Sequence, residues 1–168
     1  MLKTKPRENK IPIDVASQTY KPSHLAESLL FLDGKPFSIK NQPYIYDMYD
    51  ADPIESLSMY ARQCAKSTTV ANKIVIRSMR NSNKTLYVAP TAKQVSTFSN
   101  DRLKPAILFS PFVKKYFIDK NCSMAVMDKD FANGSVVHLR SCYLSPDTVR
   151  GTSANDIFID EVQDIMYE

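Results

Sequence analysis

Lys66-Ser67 and Asp160-Glu161 are the residue pairs in this sequence whose types could handle a phosphoryl group. The first pair lies in "YARQCAKSTT", residues 60–69, where a lysine and a hydroxyl residue open a helical pattern. A helix N-terminus offers an anion free N–H groups and the positive end of its dipole. A lysine there can reach the β- and γ-phosphates of a nucleotide, and the Ser67 hydroxyl can coordinate Mg2+. The stretch has the outline of a phosphate loop, G-x-x-x-x-G-K-[ST], with Tyr60 and Ala65 at the two glycine positions. Glycine suits such a loop because backbone N–H groups must close around phosphate oxygens. If residue 65 needs positive φ, alanine strains the loop; if it does not, alanine costs little. Taken alone, the pair also reads as a solvated Lys-Ser at an ordinary helix start.

The second pair closes "IFIDE", residues 157–161. Phosphoryl transfer to water needs Mg2+ near the phosphates and a carboxylate that polarises the attacking water. An apolar strand ending in two acids supplies both: Asp160 on the magnesium, directly or through water, and Glu161 as the catalytic base. An isolated acidic pair at a strand end is more commonly just solvated. The order strand, loop, Lys-Ser, helix, and later a hydrophobic strand ending in two acids, is the outline of an ATPase with an added acidic base.

Those side chains must be positioned by regular elements. "SLSMY", 56–60, alternates polar and apolar residues and predicts a short strand leading into the loop. Residues 66–80 place Val70, Ala71, Ile74, Val75 and Met79 on one helical stripe. "TLYVAP", 85–90, predicts a buried strand stopped by Pro90. Thr91 can cap a following helix that runs to about Leu103, where Pro105 breaks or kinks it. Residues 110–118 predict another short helix. Two alternating runs over 123–141 flank Asn133-Gly134, a hairpin signal. Upstream, 1–22 reads as an extended arm, Ser23 caps a short helix through Leu32 with Glu27 as its first-turn acid, and Asp33-Gly34 turns the chain. The segment 35–50 reads as a structured loop and a short helix from about Pro43. This order predicts a mainly parallel α/β sheet with one inserted hairpin.

The bulk numbers fit one globular domain: 168 residues, 43% hydrophobic and 24% charged. A net charge of +4 is too small to argue nucleic-acid binding unaided. Cys64, Cys122 and Cys142 have no metal-ligand spacing and read as reduced thiols, so a cytoplasmic site of action is expected. No stretch is apolar for long enough to span a membrane as a helix.

The segments "ARQCAKST", "YVAPT", "ANGS" and "VRGTSANDIFIDE" together resemble the ATPase half of the large terminase subunit of tailed bacteriophages. The resemblance covers about residues 35–166. In that family the phosphate loop typically reads Arg-Gln-x-x-Lys-[Ser/Thr], matched here by Arg62, Gln63, Lys66 and Ser67, whereas Ala65 replaces the family's usual glycine. The resemblance implies an additional-strand, RecA-like P-loop ATPase core that takes ATP and Mg2+. It implies that Arg62 to Thr68 (Arg62, Gln63, Cys64, Ala65, Lys66, Ser67 and Thr68) cradle the nucleotide. Gln42 is similar to the family's adenine-reading glutamine, although a surface loop residue remains an equal reading. Arg62 either swings toward the γ-phosphate in cis or only ties the loop. Arg150-Gly151 is similar to the loop before the acidic strand. The implied partners are double-stranded DNA, a portal protein and the small terminase subunit, around a homo-oligomeric ring in the host cytoplasm.

In this reading residues 1–33 form an arm and short helix, and 34–168 form a partial ATPase domain ending after its Walker B strand. A chain of that kind is expected to aggregate or to hydrolyse ATP very slowly by itself. A superfamily 2 helicase-like ATPase and a non-catalytic assembly fragment are the competing readings. His24 and His138 are isolated, Tyr44, Tyr46 and Tyr49 read as an aromatic core edge, and Asp164 as a solvated acid.

Overall fold

A four-stranded sheet carries the site. The computed structural model describes residues 15, 19–51, 53–80, 82–142 and 146–165, so most of the expected 1–22 arm lies outside the described residues. The strands are β3 (Lys84–Ala89), β4 (Asp128–Asp130), β5 (Val136–Ser141) and β6 (Asp156–Ile159), in spatial order β4-β5-β3-β6. β3 pairs in parallel with both β5 and β6, and β4 pairs antiparallel with β5. The architecture is therefore mixed α/β with a mostly parallel sheet. β3 is central: it is paired on both edges, and every residue from Thr85 to Ala89 is buried.

Strand parity sorts the two faces. Thr85, Tyr87, Val137, Leu139, Asp156 and Phe158 share one face through the ladder register. The helices α3 (Lys66–Arg80) and α4 (Ala92–Phe98) lie there. Tyr87 stacks on Phe98 of α4 with ring centroids 3.9 Å apart and planes 5° from parallel. Arg77 of α3 reaches Asp156 of β6 at 2.7 Å. The opposite face carries Ile157 and Ile159, which are 61% and 55% exposed.

Of the stripe expected on α3, Ala71, Ile74, Val75 and Met79 join the core, and Val70 packs half-buried against it. Arg77 and Arg80 occupy its last turn, where cations complement the dipole. Thr91 caps α4 as expected, within a reciprocal capping box with Gln94. Beyond Phe98 the helix does not break. It widens into a π-helical segment, Ser99–Leu103, and continues as α5 (Lys104–Leu108) with Pro105 in its first turn. Pro105 has no N–H to give the preceding turn, and the π segment accommodates the lost rung without ending the helix. A further helix, α6 (Pro111–Phe117), follows.

Four other expectations differ from the structure. Helix α1 (Pro22–Leu29) begins two residues earlier than a Ser23 cap would place it, with extended Lys21 at its cap. Ser23 instead donates its N–H and its hydroxyl to the Asp50 carboxylate, at 2.9 and 2.8 Å. That carboxylate belongs to α2 (Tyr46–Asp50) and satisfies a free N–H of α1 from outside the helix. The helix also ends before Leu32, because Phe31–Leu32 (β1) pairs with Lys35–Pro36 (β2). Asp33 and Gly34, with φ of 51 and 76, make the two-residue left-handed turn that such a hairpin needs. Glu27 is not a first-turn acid; it accepts from the Ile39 N–H at 2.8 Å and from the Tyr46 hydroxyl at 3.3 Å. Finally, 56–60 is not a strand: Leu57 and Met59 stand 76% and 84% exposed. Alternation makes a strand only where a neighbouring backbone takes its N–H and C=O groups.

Lys129 pins the helical layer to the sheet edge. Its side chain is buried, and its ammonium donates to Ser99 Oγ at 2.6 Å, to Val126 O at 3.3 Å and to the Ala125 carbonyl. Burial first, and Lys104 second, push its pKa down from 10.5 to about 8, against an opposing pull from Asp128. The unfolded chain therefore binds more protons than the folded one between those values, and stability rises as pH climbs through that window. Urea midpoints of wild type and Lys129→Met compared at pH 7.5 and pH 10 should show this gain in wild type alone. An equal pH response in the two proteins contradicts it.

Candidate nucleotide site

The chain before α3 makes two left-handed steps. Gln63 has φ 63 and Ala65 has φ 57. Ala65 then accepts the Thr69 N–H at 2.9 Å, which closes the first turn of α3. Ala65 thus adopts the left-handed conformation that glycine takes without steric cost. Ser67 and Thr68 sit half-buried in that first turn, Cys64 is half-buried, and Arg62 and Gln63 are exposed. The Cys64 thiol lies 3.7 Å from the Arg62 carbonyl, across the turn.

The second half of the site arrives on β6. The parallel ladder runs from Thr85↔Asp156 to Val88↔Ile159, and the Asp160 N–H extends it by donating to the Val88 carbonyl at 2.9 Å. Parity puts Asp160 on the face of Asp156 and Phe158, the face on which α3 lies. Glu161 then turns with φ 49. Its carboxylate reaches Lys66, Oε1 to Nζ at 3.8 Å, with the two side chains 39% and 33% exposed. Glu161 also accepts from the Gln163 amide, and its carbonyl takes the Asp164 N–H at 2.9 Å.

The structure thus brings Lys66 and Glu161 together, with Ser67 and Asp160 each adjacent in sequence to a member of that pair. Gln42 enters less directly. It precedes a 3-10 turn (Pro43–Ile45), and Tyr44 of that turn packs 6.4 Å from Tyr60 at the start of the loop. The Tyr44 hydroxyl is raised in pKa by desolvation first and by Cys64 second, so it remains protonated beside the loop. Arg150 pairs with Asp147 at 3.1 Å on the surface, both largely exposed. His138 bonds Asp128 at 2.7 Å on the β4–β5 pair, as a sheet-packing residue would.

Sequence reasoning missed one contact. Tyr87 donates its hydroxyl to Asp160 Oδ2 at 2.9 Å. A signal was present, since a tyrosine within a wholly buried strand must find a partner for its hydroxyl. Nothing in the sequence said that the partner lies on β6.

The donor set is one of hard oxygens. Among the described residues no cluster of three His, Cys, Asp or Glu could hold a metal by protein groups alone. One carboxylate and one hydroxyl beside a phosphate site suit Mg2+, which keeps waters and shares phosphate oxygens. Ser67 and Asp160 are the residues that could hold it.

Left-handed backbone costs a non-glycine residue about 1–2 kcal/mol, and three such residues, Gln63, Ala65 and Glu161, stand around one site. Ala65→Gly should therefore raise unfolding free energy by about 1 kcal/mol, net of the added freedom of the unfolded chain. Chemical denaturation measures this, and an unchanged or lowered stability contradicts the strain.

No helix among the described residues is long and apolar enough to cross a membrane. No curated protein matches the chain. A family model, described as phage terminase large subunit gpA, ATPase domain, matches residues 34–168. With the match spanning most of its length, this chain belongs to the ATPase-domain family of the phage terminase large subunit.

Proposed function

We propose that this chain is the ATP-binding and ATP-hydrolysing part of a phage DNA-packaging motor, and that the loop 60–68 with Asp160 and Glu161 is its nucleotide site. The observation that carries this reading is the 3.8 Å approach of Lys66 to Glu161. Two segments far apart in sequence, each with one half of the required chemistry, meet where α3 begins.

That approach and the family resemblance together support the following roles. The free N–H groups at the start of α3 and the Lys66 ammonium bind the β- and γ-phosphates. Residues 62–65 form the wall of the loop, and Thr68 completes the first turn behind it. Ser67 and Asp160 hold Mg2+, which when bound offsets negative charge on the phosphates. Glu161 is the general base: arriving phosphate takes Lys66 from it and leaves its carboxylate free to draw a proton from water. Arg62, exposed at the loop's outer turn, has room to approach the γ-phosphate and offset charge developing there. Gln42 reads the adenine edge, for which an amide can both donate and accept. Turnover moves double-stranded DNA into the procapsid, with a portal protein and the small terminase subunit as partners and a homo-oligomeric ring as the working form, in the host cytoplasm. The family membership supports DNA packaging over a helicase role.

Glu161→Gln should leave binding of a fluorescent ATP analogue within a few-fold of wild type and lower hydrolysis by about 100-fold or more. Lys66→Ala should weaken nucleotide binding itself. Absence of nucleotide binding in the wild-type chain contradicts the reading and favours a non-catalytic assembly fragment; undiminished turnover in Glu161→Gln removes Glu161 as the base.

A further inference from the structure

Asp160 is held at both oxygens. Oδ1 accepts the Glu161 N–H at 3.1 Å and Oδ2 accepts the Tyr87 hydroxyl at 2.9 Å. A carboxylate has about four lone-pair directions, so both oxygens keep one free while the plane of the group is fixed. Tyr87 is itself immobile. It is 1% exposed, its ring lies flat on Phe98, and its backbone is paired on both sides, to Leu139 and Phe158. Phe98 is anchored in turn, because the next residue, Ser99, receives the buried Lys129 ammonium at 2.6 Å and donates to Val126 O at 2.7 Å.

We propose that Tyr87 is the positioning residue for Asp160, and that its hydroxyl, aimed by the stack on Phe98, sets the direction in which the carboxylate presents its free lone pairs to nucleotide-bound Mg2+. The inference rests on the proposed role of Asp160 and deepens it. Groups that orient a metal ligand without touching the metal commonly set metal affinity by about 10- to 100-fold. A hydroxyl that only satisfied itself in the core would have no such effect on metal. The distinction is physical: phenylalanine at 87 keeps the ring, the stack and the burial, and loses only the bond to Asp160.

The test uses the full chain and a fluorescent ATP analogue. Binding is titrated first in EDTA and then against Mg2+, with Mn2+ electron paramagnetic resonance as an independent readout of metal held at the site. Tyr87→Phe should bind nucleotide in EDTA as wild type does and require about 10-fold or more Mg2+ for the same gain in affinity. A double-mutant cycle with Asp160→Asn should show that Tyr87→Phe adds nothing once the carboxylate is gone. Thermal melting checks that Tyr87→Phe is folded, and Phe98→Leu, which loosens the stack and keeps the hydroxyl, should shift the Mg2+ requirement in the same direction. Equal Mg2+ requirements in wild type and both single variants overturn the role of Tyr87 alone. A wild-type chain whose nucleotide binding does not respond to Mg2+ overturns the role of Asp160 and this inference with it.

Discussion

The bond from the Asp160 N–H to the Val88 carbonyl, at 2.9 Å, is the last rung of the β3–β6 ladder, and the site depends on it. Parallel pairing fixes where β6 ends relative to β3. β3 in turn is fixed by β5 on its other edge and by the helices on its buried face. Because the side-chain period of a strand is two, a register slip of one residue would carry Asp160 to the face of Ile157 and Ile159. With the rung in place, Asp160 faces the helical layer and Glu161 emerges beside the first residue of α3.

Around that rung the chain stores strain. Left-handed backbone at Gln63, Ala65 and Glu161 is unfavourable for residues with a Cβ, and the fourth non-glycine instance among the described residues, Asp33, lies in a hairpin turn that calls for it. Such strain persists only where surrounding structure over-determines it. Here the constraints are visible: α3 is packed by its buried stripe, and β6 is tied at its start by Arg77 and Asn83 to Asp156, at 2.7 Å each. The loop and the strand end are held from outside, by the buried stripe of α3 and by the Arg77 and Asn83 bonds to Asp156, away from the proposed phosphate position.

Much of this was legible in the sequence. The apolar stripe of α3, the solid apolar run of β3, the Thr91 cap and the acids closing β6 are local patterns, and each is set by chemistry within a few residues. What was not legible depends on partners. Residues 56–60 alternate as a strand should, yet Leu57 and Met59 are exposed because pairing is decided by a neighbour and not by the pattern. Ser23 has the chemistry of a cap, but Pro22 preset the first turn and Asp50 took the hydroxyl. Pro105 was expected to break or kink a helix, and a π-helical segment lets the chain continue through it. Lys66 and Glu161 could be named from composition and order; that they stand 3.8 Å apart could not.

The central claim is that the loop before α3 and the end of β6 form a single site for Mg2+ and ATP. A crystal structure of the chain with a non-hydrolysable ATP analogue and Mg2+ tests it most directly. The account predicts the γ-phosphate between Lys66 and Glu161, the ion pair opened, and the metal beside Ser67 and Asp160. Nucleotide bound elsewhere, with the Lys66–Glu161 pair intact, would contradict it.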